Sequence, residues 1–553
     1  MTRQSLPDSL APLAILRTAR SNAAEYYAPL LNGPSEVLRM GAWTALLERN
    51  EVGYDQYPAV LELASRNPGI RRRAFRHFLK WWDYDEAGQA LAALPPAEDH
   101  FETDLMQAEL ASDQGAVLEA QRALYLAKGD FELLSALVGM TERILGWSAA
   151  LPIAVECVIL APHDANTVLQ LLTLLRNARQ TNLMESLAVL LDETTLHPAI
   201  ALLARASIRL LQGNPRGCLT ALGQLNAMRI LRPDVAHRIR AQATELSAEA
   251  LERLGEYRQA YAAYVELKKL DTGKAYDLGE FERTILGDAA LDVPPLPDDP
   301  RRECFVMTGF PRSGTTLLEN ALAAHPLIET FEEIPSWSSM QLYLDLTLPK
   351  VTPDTDMVPI YLRTRERYYA EIDRLRRKSE AKVLIDKMPI RSAEAAFLAK
   401  LFPERRFIFS IRHPFDVVLS CFKQSFVRNV AMEHFRTFEG AVKLYDFSMR
   451  QWFSVHSMTD AKVHYLRYDD LVTKFEDSMR GALDFLGLGW DDKVLGFASL
   501  AETRGARTPS YQKVRQGLGI GVQSSWRNYG FLFQSETARP LRKWVEHFGY
   551  ELQ

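Results

Sequence analysis

The sequence predicts two architectures in one chain: an α-helical repeat region, then an α/β domain built on a parallel sheet. Three observations predict it. Residues 1 to about 288 carry apolar residues at helical spacing, with few glycines or prolines between them. Asp288-Ala-Ala-Leu-Asp-Val-Pro-Pro-Leu-Pro-Asp-Asp-Pro300 is proline-rich and has no helical period, as a semi-extended linker would. After it, Cys304 to Leu318 reads as a buried strand, a tight glycine-bearing loop and the first turn of a helix. The expected division is 1–288 helical, 289–302 linker and 303–553 α/β.

Size and composition narrow the function. At 553 residues the chain exceeds one hydrophobic core. Its 47% hydrophobic and 24% charged content is that of a globular protein, and a net charge of −5 speaks against broad binding to nucleic acid or anionic membranes. No apolar run reaches the ~18–20 residues that would span a bilayer. Met1-Thr-Arg-Gln-Ser-Leu-Pro7 lacks the apolar segment of a secretion signal. Cys157, Cys218, Cys304 and Cys421 are scattered, which argues against a disulfide framework or a zinc site and suits the reducing cytoplasm.

In the first half a small-residue signal recurs. It is clearest at Ala248, Gly255, Tyr257, Ala260 and Tyr264, and an earlier copy has Ala206, Gly213, Cys218 and Leu222. Paired helices approach closely at fixed points where only small side chains fit. These segments resemble tetratricopeptide repeats, most clearly at 241–271, although Gly213 and Gly255 lie further apart than the roughly 34 residues of an ideal unit. A generic helical bundle is the alternative. This half reads as a scaffold or binding surface. Its Glu245 and Glu249 share one side of a helix and are expected to form a solvated face.

The loop of the second half reads Gly309-Phe-Pro-Arg-Ser-Gly314-Thr315-Thr316, nearly the spacing of the nucleotide-binding P-loop. A loop ending on a helix N-terminus offers unpaired N–H groups and the positive end of the dipole to a phosphate-like anion. The P-loop lysine that reaches the β- and γ-phosphates is replaced by Thr315, which argues against ATP or GTP chemistry. Arg312 supplies a positive charge elsewhere in the loop.

The rest of this half alternates strands and helices. Glu332 and Glu333 are expected on a loop just beyond the anion site, where a carboxylate could accept a proton from an attacking hydroxyl. Residues 350–380 read as a charged helix with solvated Arg and Lys. A strand over Lys382–Asp386 ends on Lys387, facing the ligand crevice of an open α/β sheet. A further strand, Arg406–Ile411, ends on Arg412, and Ser420 follows about two turns into the next helix. A helix over about 433–458 precedes a strand at 462–467 and the turn at Tyr468. Gly-rich 517–521 suits a loop that closes over a ligand.

Pro311-Arg312-Ser313-Gly314-Thr315-Thr316 resembles the phosphosulfate-binding loop of sulfotransferases, which use 3′-phosphoadenosine 5′-phosphosulfate (PAPS). The later motifs are similar in order, and the whole resembles repeat-containing sulfotransferases related to the tyrosylprotein enzymes. The resemblance covers roughly 303–550. It implies that the loop, Pro311 to Thr316, binds the 5′-phosphate, that Arg412 and Ser420 bind the 3′-phosphate and that Tyr468 contacts the adenosine. It implies Arg312, Lys387 and Ser510 as the groups stabilising the transferred sulfonate and the leaving oxygen, and Glu333 as the general base, with Glu332 as its alternative. Ser525 stands where the family has a lysine; Arg515 and Arg527 are the residues that could substitute. The implied reaction is sulfonate transfer to a hydroxyl, favouring a peptide tyrosine presented by the helical half, without a metal. Rival readings are a carbohydrate or small-molecule sulfotransferase, a P-loop kinase or NTPase, and a non-catalytic repeat adaptor.

Overall fold

Alternation along five strands sets the architecture of the second half. In β1 (Cys304–Gly309), Phe305 and Met307 turn to one face of a sheet, and Cys304 and Val306 to the other. β2 (Ile328–Glu332), β3 (Val383–Lys387), β4 (Arg406–Ile411) and β5 (Val463–Arg467) join it in the order β2-β3-β1-β4-β5, all parallel. β1, β3 and β4 are buried almost throughout, as a parallel sheet covered on both faces requires. β1 is central, with β3 and β4 on either side, so its C-terminal end opens where the chain's direction across the sheet reverses.

The computed structural model describes residues 31, 36–49, 52–53, 56–80, 84–92, 117–118, 121–122, 131–455 apart from 162, 195–196, 229, 231, 300, 302 and 335, then 462–497 and 524–552. They fall into two compact units. The first holds residues 1–130 with 341–343, and the second holds the remainder. In the first, α1 (Glu36–Arg49), α2 (Tyr57–Arg66), α3 (Pro68–Lys80) and α4 (Tyr84–Ala92) share a core that includes Trp43, Tyr57, Phe75 and Phe78.

The second unit begins with helices: α5 (Phe131–Leu145), α6 (Trp147–Leu160), α7 (Ala165–Asn177), α8 (Thr181–Thr194), α9 (Pro198–Leu211), α10 (Pro215–Asn226), α11 (Pro233–Arg253), α12 (Tyr257–Leu270) and α13 (Leu278–Ala290). Gly213 and Gly255 end α9 and α11 in the left-handed region, at φ +80° and +81°. There Asn214 N–H donates to Arg209 O at 2.8 Å and Glu256 N–H to Leu251 O at 2.9 Å. These are the reversed hydrogen bonds that close a helix on glycine and turn it back antiparallel. Ala206, Cys218, Ala248 and Ala260 are fully buried at the resulting helix contacts.

The same unit continues into the sheet. α14 (Thr315–Ala323) follows β1, and α15 (Val358–Leu375) precedes β3. α16 (Ala395–Leu401), α17 (Pro414–Lys423), α18 (Phe438–Val455), α19 (Tyr468–Thr473), α20 (Phe475–Leu486) and α21 (Arg539–His547) complete the layers. One face of the sheet packs on α14 and α20, the other on α15 to α18. Ala248 and Tyr264 of the helical region belong to this second core, so helices and sheet bury surface together.

Two expectations change here. Glu332 is not in a loop but closes β2, an edge strand paired with β3 through Glu332 and Lys387. The charged helix spans Val358–Leu375, and its Arg365 and Arg367 are buried rather than solvated. Arg365 donates from Nε to Leu401 O at 2.6 Å and from Nη1 to Pro297 O at 2.7 Å, and its Nη2 lies 3.8 Å from Glu404, which compensates in part a guanidinium taken out of water.

Candidate active site

The loop after β1 is wrapped too tightly for side chains at its two glycines. Gly314 sits at φ +102°, and a Cβ there would lie 2.4 Å from the Tyr468 ring. A Cβ at Gly309 would meet Ser410 O and Ser313 Oγ, each at 2.7 Å. Arg312 takes φ +73°, a conformation that costs a non-glycine residue about 1–2 kcal/mol and persists where the surroundings enforce it. Ser410 Oγ–H enforces it in part, donating to Ser313 O at 2.9 Å. Ser313 Oγ is buried without a hydrogen-bond partner among the described residues. With the N-terminus of α14, it forms a cradle of the kind that suits an anion.

Arg312, Arg412, Ser420 and Tyr468, distant in sequence, meet beside this cradle. Arg312 Nε donates to Ser420 Oγ at 3.1 Å, and Arg412 Nη1 to Arg312 O at 3.4 Å. The Arg412 guanidinium stands 4.6 Å from the Tyr468 ring centroid. Local chemistry sets this geometry. β4 ends at Ile411, Pro414 opens α17, and the His413 ring accepts from Phe415 N–H, so Arg412 is held at the helix start with Ser420 further along. Burial lowers the Arg312 guanidinium from its ordinary range, Cys421 opposes this, and the Arg412 charge adds to the lowering. Two cations this close favour an anion between them.

Lys387 ends β3 and is fully buried. Its Nζ lies 3.0 Å from Glu332 Oε1, 3.2 Å from Glu333 Oε1 and 3.3 Å from Glu319 Oε2. The contacts to Glu332 and Glu333 are hydrogen bonds, while that to Glu319 is an ion pair off the hydrogen-bond direction. Burial pulls the ammonium down, but the three carboxylates outweigh it and hold Lys387 well above its ordinary range. Glu333 follows β2 at φ +51°, its N–H donating to Lys387 O at 2.8 Å. Glu319 had not been singled out in the sequence; its signal is a carboxylate inside the otherwise apolar run of α14.

Arg312 and Glu333 share a cavity of about 810 Å³ with Thr315, Thr316 and Met388. Its other wall comes from the helical region: Glu142, Trp147, Arg176, Glu245, Glu249 and Arg253. The expected solvated face at Glu245 and Glu249 is therefore a cavity wall, because packing of α7 against α11 turns it inward. Arg176 pairs with Glu245 at 2.7 Å. Glu249 is exposed to the cavity but walled by protein, and burial, then the Glu245 charge, pushes its carboxyl up. Lys387, Glu332, Arg412, Ser420 and Tyr468 do not line this cavity. Arg312 lines it and meets Ser420 and Arg412, and Glu333 lines it and meets Lys387.

Ser510 and Arg515 lie outside the described residues. Ser525 is committed elsewhere: its Oγ–H donates to Asp416 Oδ1 at 2.8 Å, while Ser524 and Trp526 N–H donate to the same carboxylate. Arg527 is exposed, 5.4 Å from the Trp526 ring centroid.

Residues 305–492 match the model of the sulfotransferase family. An uncharacterized protein of Aquifex aeolicus (strain VF5) is 25% identical over 317 residues, covering 54% of this chain and 41% of that protein. Protein-tyrosine sulfotransferase 1 of Danio rerio is 24% identical over 251 residues, 44% of this chain and 66% of that protein. Protein-tyrosine sulfotransferase 2 of Gallus gallus is 24% identical over 247 residues, 43% and 62%. The chain thus spans 41% to 66% of the length of these curated relatives. Among solved structures, the sulfotransferase domain of the Synechococcus PCC 7002 olefin synthase aligns over 48% of this chain and 100% of its own, at 21% identity and a TM-score of 0.34. The match to the sulfotransferase family model falls within the parallel-sheet half, and a helical region precedes it.

Proposed function

We propose that this protein transfers a sulfonate from PAPS to an acceptor hydroxyl held against the helical wall, with a peptide tyrosine as the favoured acceptor. The observation that carries the reading is Arg312. It links the anion cradle, with Arg412 and Ser420 beside it, to a cavity containing a carboxylate, Glu333.

The loop residues Pro311 to Thr316, with the α14 N–H groups, take the 5′-phosphate end, and Ser313 supplies the buried hydroxyl that lacks a partner among the described residues. Arg412 and Ser420 take the 3′-phosphate, which distinguishes PAPS from ATP, and Tyr468 lies against the adenosine. Glu333 accepts the proton of the attacking hydroxyl. As the acceptor O–S bond forms, the S–O bond to the 5′-phosphate breaks. Its electron pair stays on the phosphate oxygen, giving a sulfate ester, 3′,5′-ADP and a proton on Glu333. Arg312 stabilises charge on the sulfonate oxygens, a contribution that can reach ~10²–10³ in rate. Ser510 is assigned to the bridging oxygen on the sequence resemblance alone. Glu333 is favoured over Glu332 as base because it faces the cavity while Glu332 does not. The tyrosine acceptor rests on the two protein-tyrosine sulfotransferases among the relatives. The cavity volume also lies within the ~300–1,000 Å³ usual for ligand sites. The helix pairs that build the opposite wall are read as worn tetratricopeptide units.

Calorimetric titration with 3′,5′-ADP against ATP–Mg²⁺ tests this without knowledge of the acceptor. The expected result is preference for 3′,5′-ADP, weakened at least a hundredfold in Arg412→Ala. Preference for ATP–Mg²⁺ makes the protein a divergent P-loop phosphotransferase. Binding of neither makes the helical region the functional part of an adaptor.

A further inference from the structure

We infer that Glu249 selects the acceptor by pairing with a positive charge on it, a lysine or arginine of the peptide near the hydroxyl that is sulfonated. The inference rests on the sulfotransferase reading and deepens it. The helical wall lies outside residues 305–492, which match the family model, so its selectivity is read from this chain's own residues.

The geometry begins with a polar ladder between α7 and α11. Arg238 Nη1 donates to Asn166 Oδ1 at 2.7 Å, Gln242 Nε2 to Thr173 Oγ1 at 2.8 Å and Arg176 Nη2 to Glu245 Oε2 at 2.7 Å. On α11 these rungs fall on residues three or four apart, which share one side of a helix. Glu249 is the next residue of that stripe. It has no rung because α7 has ended at Asn177. Gln180, as far from Glu249 along the chain as Arg176 is from Glu245, turns its side chain to Ala178 O at 3.1 Å instead.

The charges around Glu249 are engaged elsewhere. Arg176 is paired with Glu245, and Glu142 accepts from Asn177. Arg253, one turn further along α11 and the natural partner of Glu249, donates to Leu210 O in the last turn of α9. Arg179 lies exposed on the turn after α7. Neither forms an ion pair with Glu249. A carboxylate walled by protein and without a partner gains more from an arriving cation than a solvated one does, because part of its water is already displaced. The raised Glu249 carboxyl agrees with that surrounding. Glu333 lines the same cavity, so one acceptor reaches both residues, but Glu333 already has the Lys387 ammonium. A cation on the acceptor is therefore drawn to the helical wall.

Peptides carrying one tyrosine test this. A single lysine is stepped outward from the tyrosine on either side, and each peptide is compared with its norleucine counterpart, which drops the charge. At the position that reaches Glu249, wild type should show a KM about tenfold lower with lysine than with norleucine. Glu249→Gln should collapse that ratio toward one. Glu249→Lys should move the preference to a glutamate at the same position, a reversal that lost packing alone does not produce. Absence of a lysine preference at every position overturns the inference, and so does a preference that survives Glu249→Gln. A glutamate preference in wild type overturns it as well and gives the selection to Arg179. If turnover is absent, calorimetric binding of the same peptides to the 3′,5′-ADP complex reads the ratio, and lack of discrimination there is equally decisive. Wild-type protein that binds no 3′,5′-ADP refutes the sulfotransferase reading itself, whereas protein that binds it and ignores the lysine refutes only the cation.

Discussion

The two walls of the cavity are built by opposite means. The sheet wall consists of strand ends, a loop in strained backbone geometry and charges buried among one another. The helical wall consists of long side chains on α5, α7 and α11, paired across helices and still open to solvent. On the sheet side, groups in and behind the wall are held by neighbours: Lys387 by three carboxylates, Ser313 by Ser410, Arg312 by Ser420 and its own φ. In the second, Arg176 answers to Glu245, and Glu249 makes no hydrogen bond or ion pair with any described residue. Under the proposed function, the difference assigns chemistry to the sheet wall and selection to the helical wall. Charge developing in a transition state is stabilised by groups that need not reorganise, whereas recognition of varied partners tolerates adaptable side chains.

The largest effect should come from the sheet wall. Glu333→Gln should lower sulfonate transfer about a thousandfold while leaving 3′,5′-ADP affinity within twofold, as read by turnover and calorimetry side by side. Retained turnover would move the base to Glu332 or beyond and break the contrast.

Next in size is a pH effect expected on the sheet side. Burial pushes Glu394 up to about 7; Arg391 opposes this and Asp288 and Asp386 add to it. Its folded-state value is thus above the ordinary 4.5 of a free carboxyl, so its contribution to stability is full below 4.5 and is lost as pH rises through about 7. Removing the ionisable group in Glu394→Gln should therefore leave stability near pH 4 unchanged and raise it at pH 8, by on the order of 3 kcal/mol. Denaturant titrations at the two pH values check this, and an equal change at both would sink it.

The smallest effect belongs to the helical wall. Glu249→Gln and Arg176→Ala should change KM for a tyrosine-containing peptide by three- to tenfold, with kcat and 3′,5′-ADP affinity nearly unchanged. A comparable loss in kcat would place these residues in the chemistry and dissolve the distinction.

Legibility followed the same division. β1, β3, β4 and β5 were readable as short strand-like runs; the loop, Arg412 and Tyr468 were readable because each lies at a strand end or helix start, and Ser420 because of its spacing from Arg412. β2 was not: Ile328-Glu-Thr-Phe-Glu332 is short, carries two acids and follows Pro326, so its pattern resembles a loop until β3 pairs with it. Arg365 and Arg367 were misread because a charged helix normally faces water, and only their burial, with the carbonyls that meet Arg365, reveals that this one does not. The helical wall was illegible for a stronger reason. Arg176 and Glu245 lie on helices far apart in the chain, and no local pattern says that α7 and α11 will face the same space.

Glu252 gives the proline-rich segment a different meaning. This α11 carboxylate is ion-paired to Lys423 at the end of α17, and it accepts from Tyr529 and, at 3.0 Å, from Tyr264. The turn after β4 and the helix carrying Ser420 are thereby anchored to the helical region, not merely tethered to it. For anyone dissecting the protein, the flexible-looking link is a poor place to cut. A fragment beginning near 303 would leave Lys423 and Tyr529 without their acceptor and would lose half of the cavity, whereas one beginning at 131 keeps the whole unit. Loss of activity in the shorter fragment would thus report a missing keystone rather than a missing catalytic group.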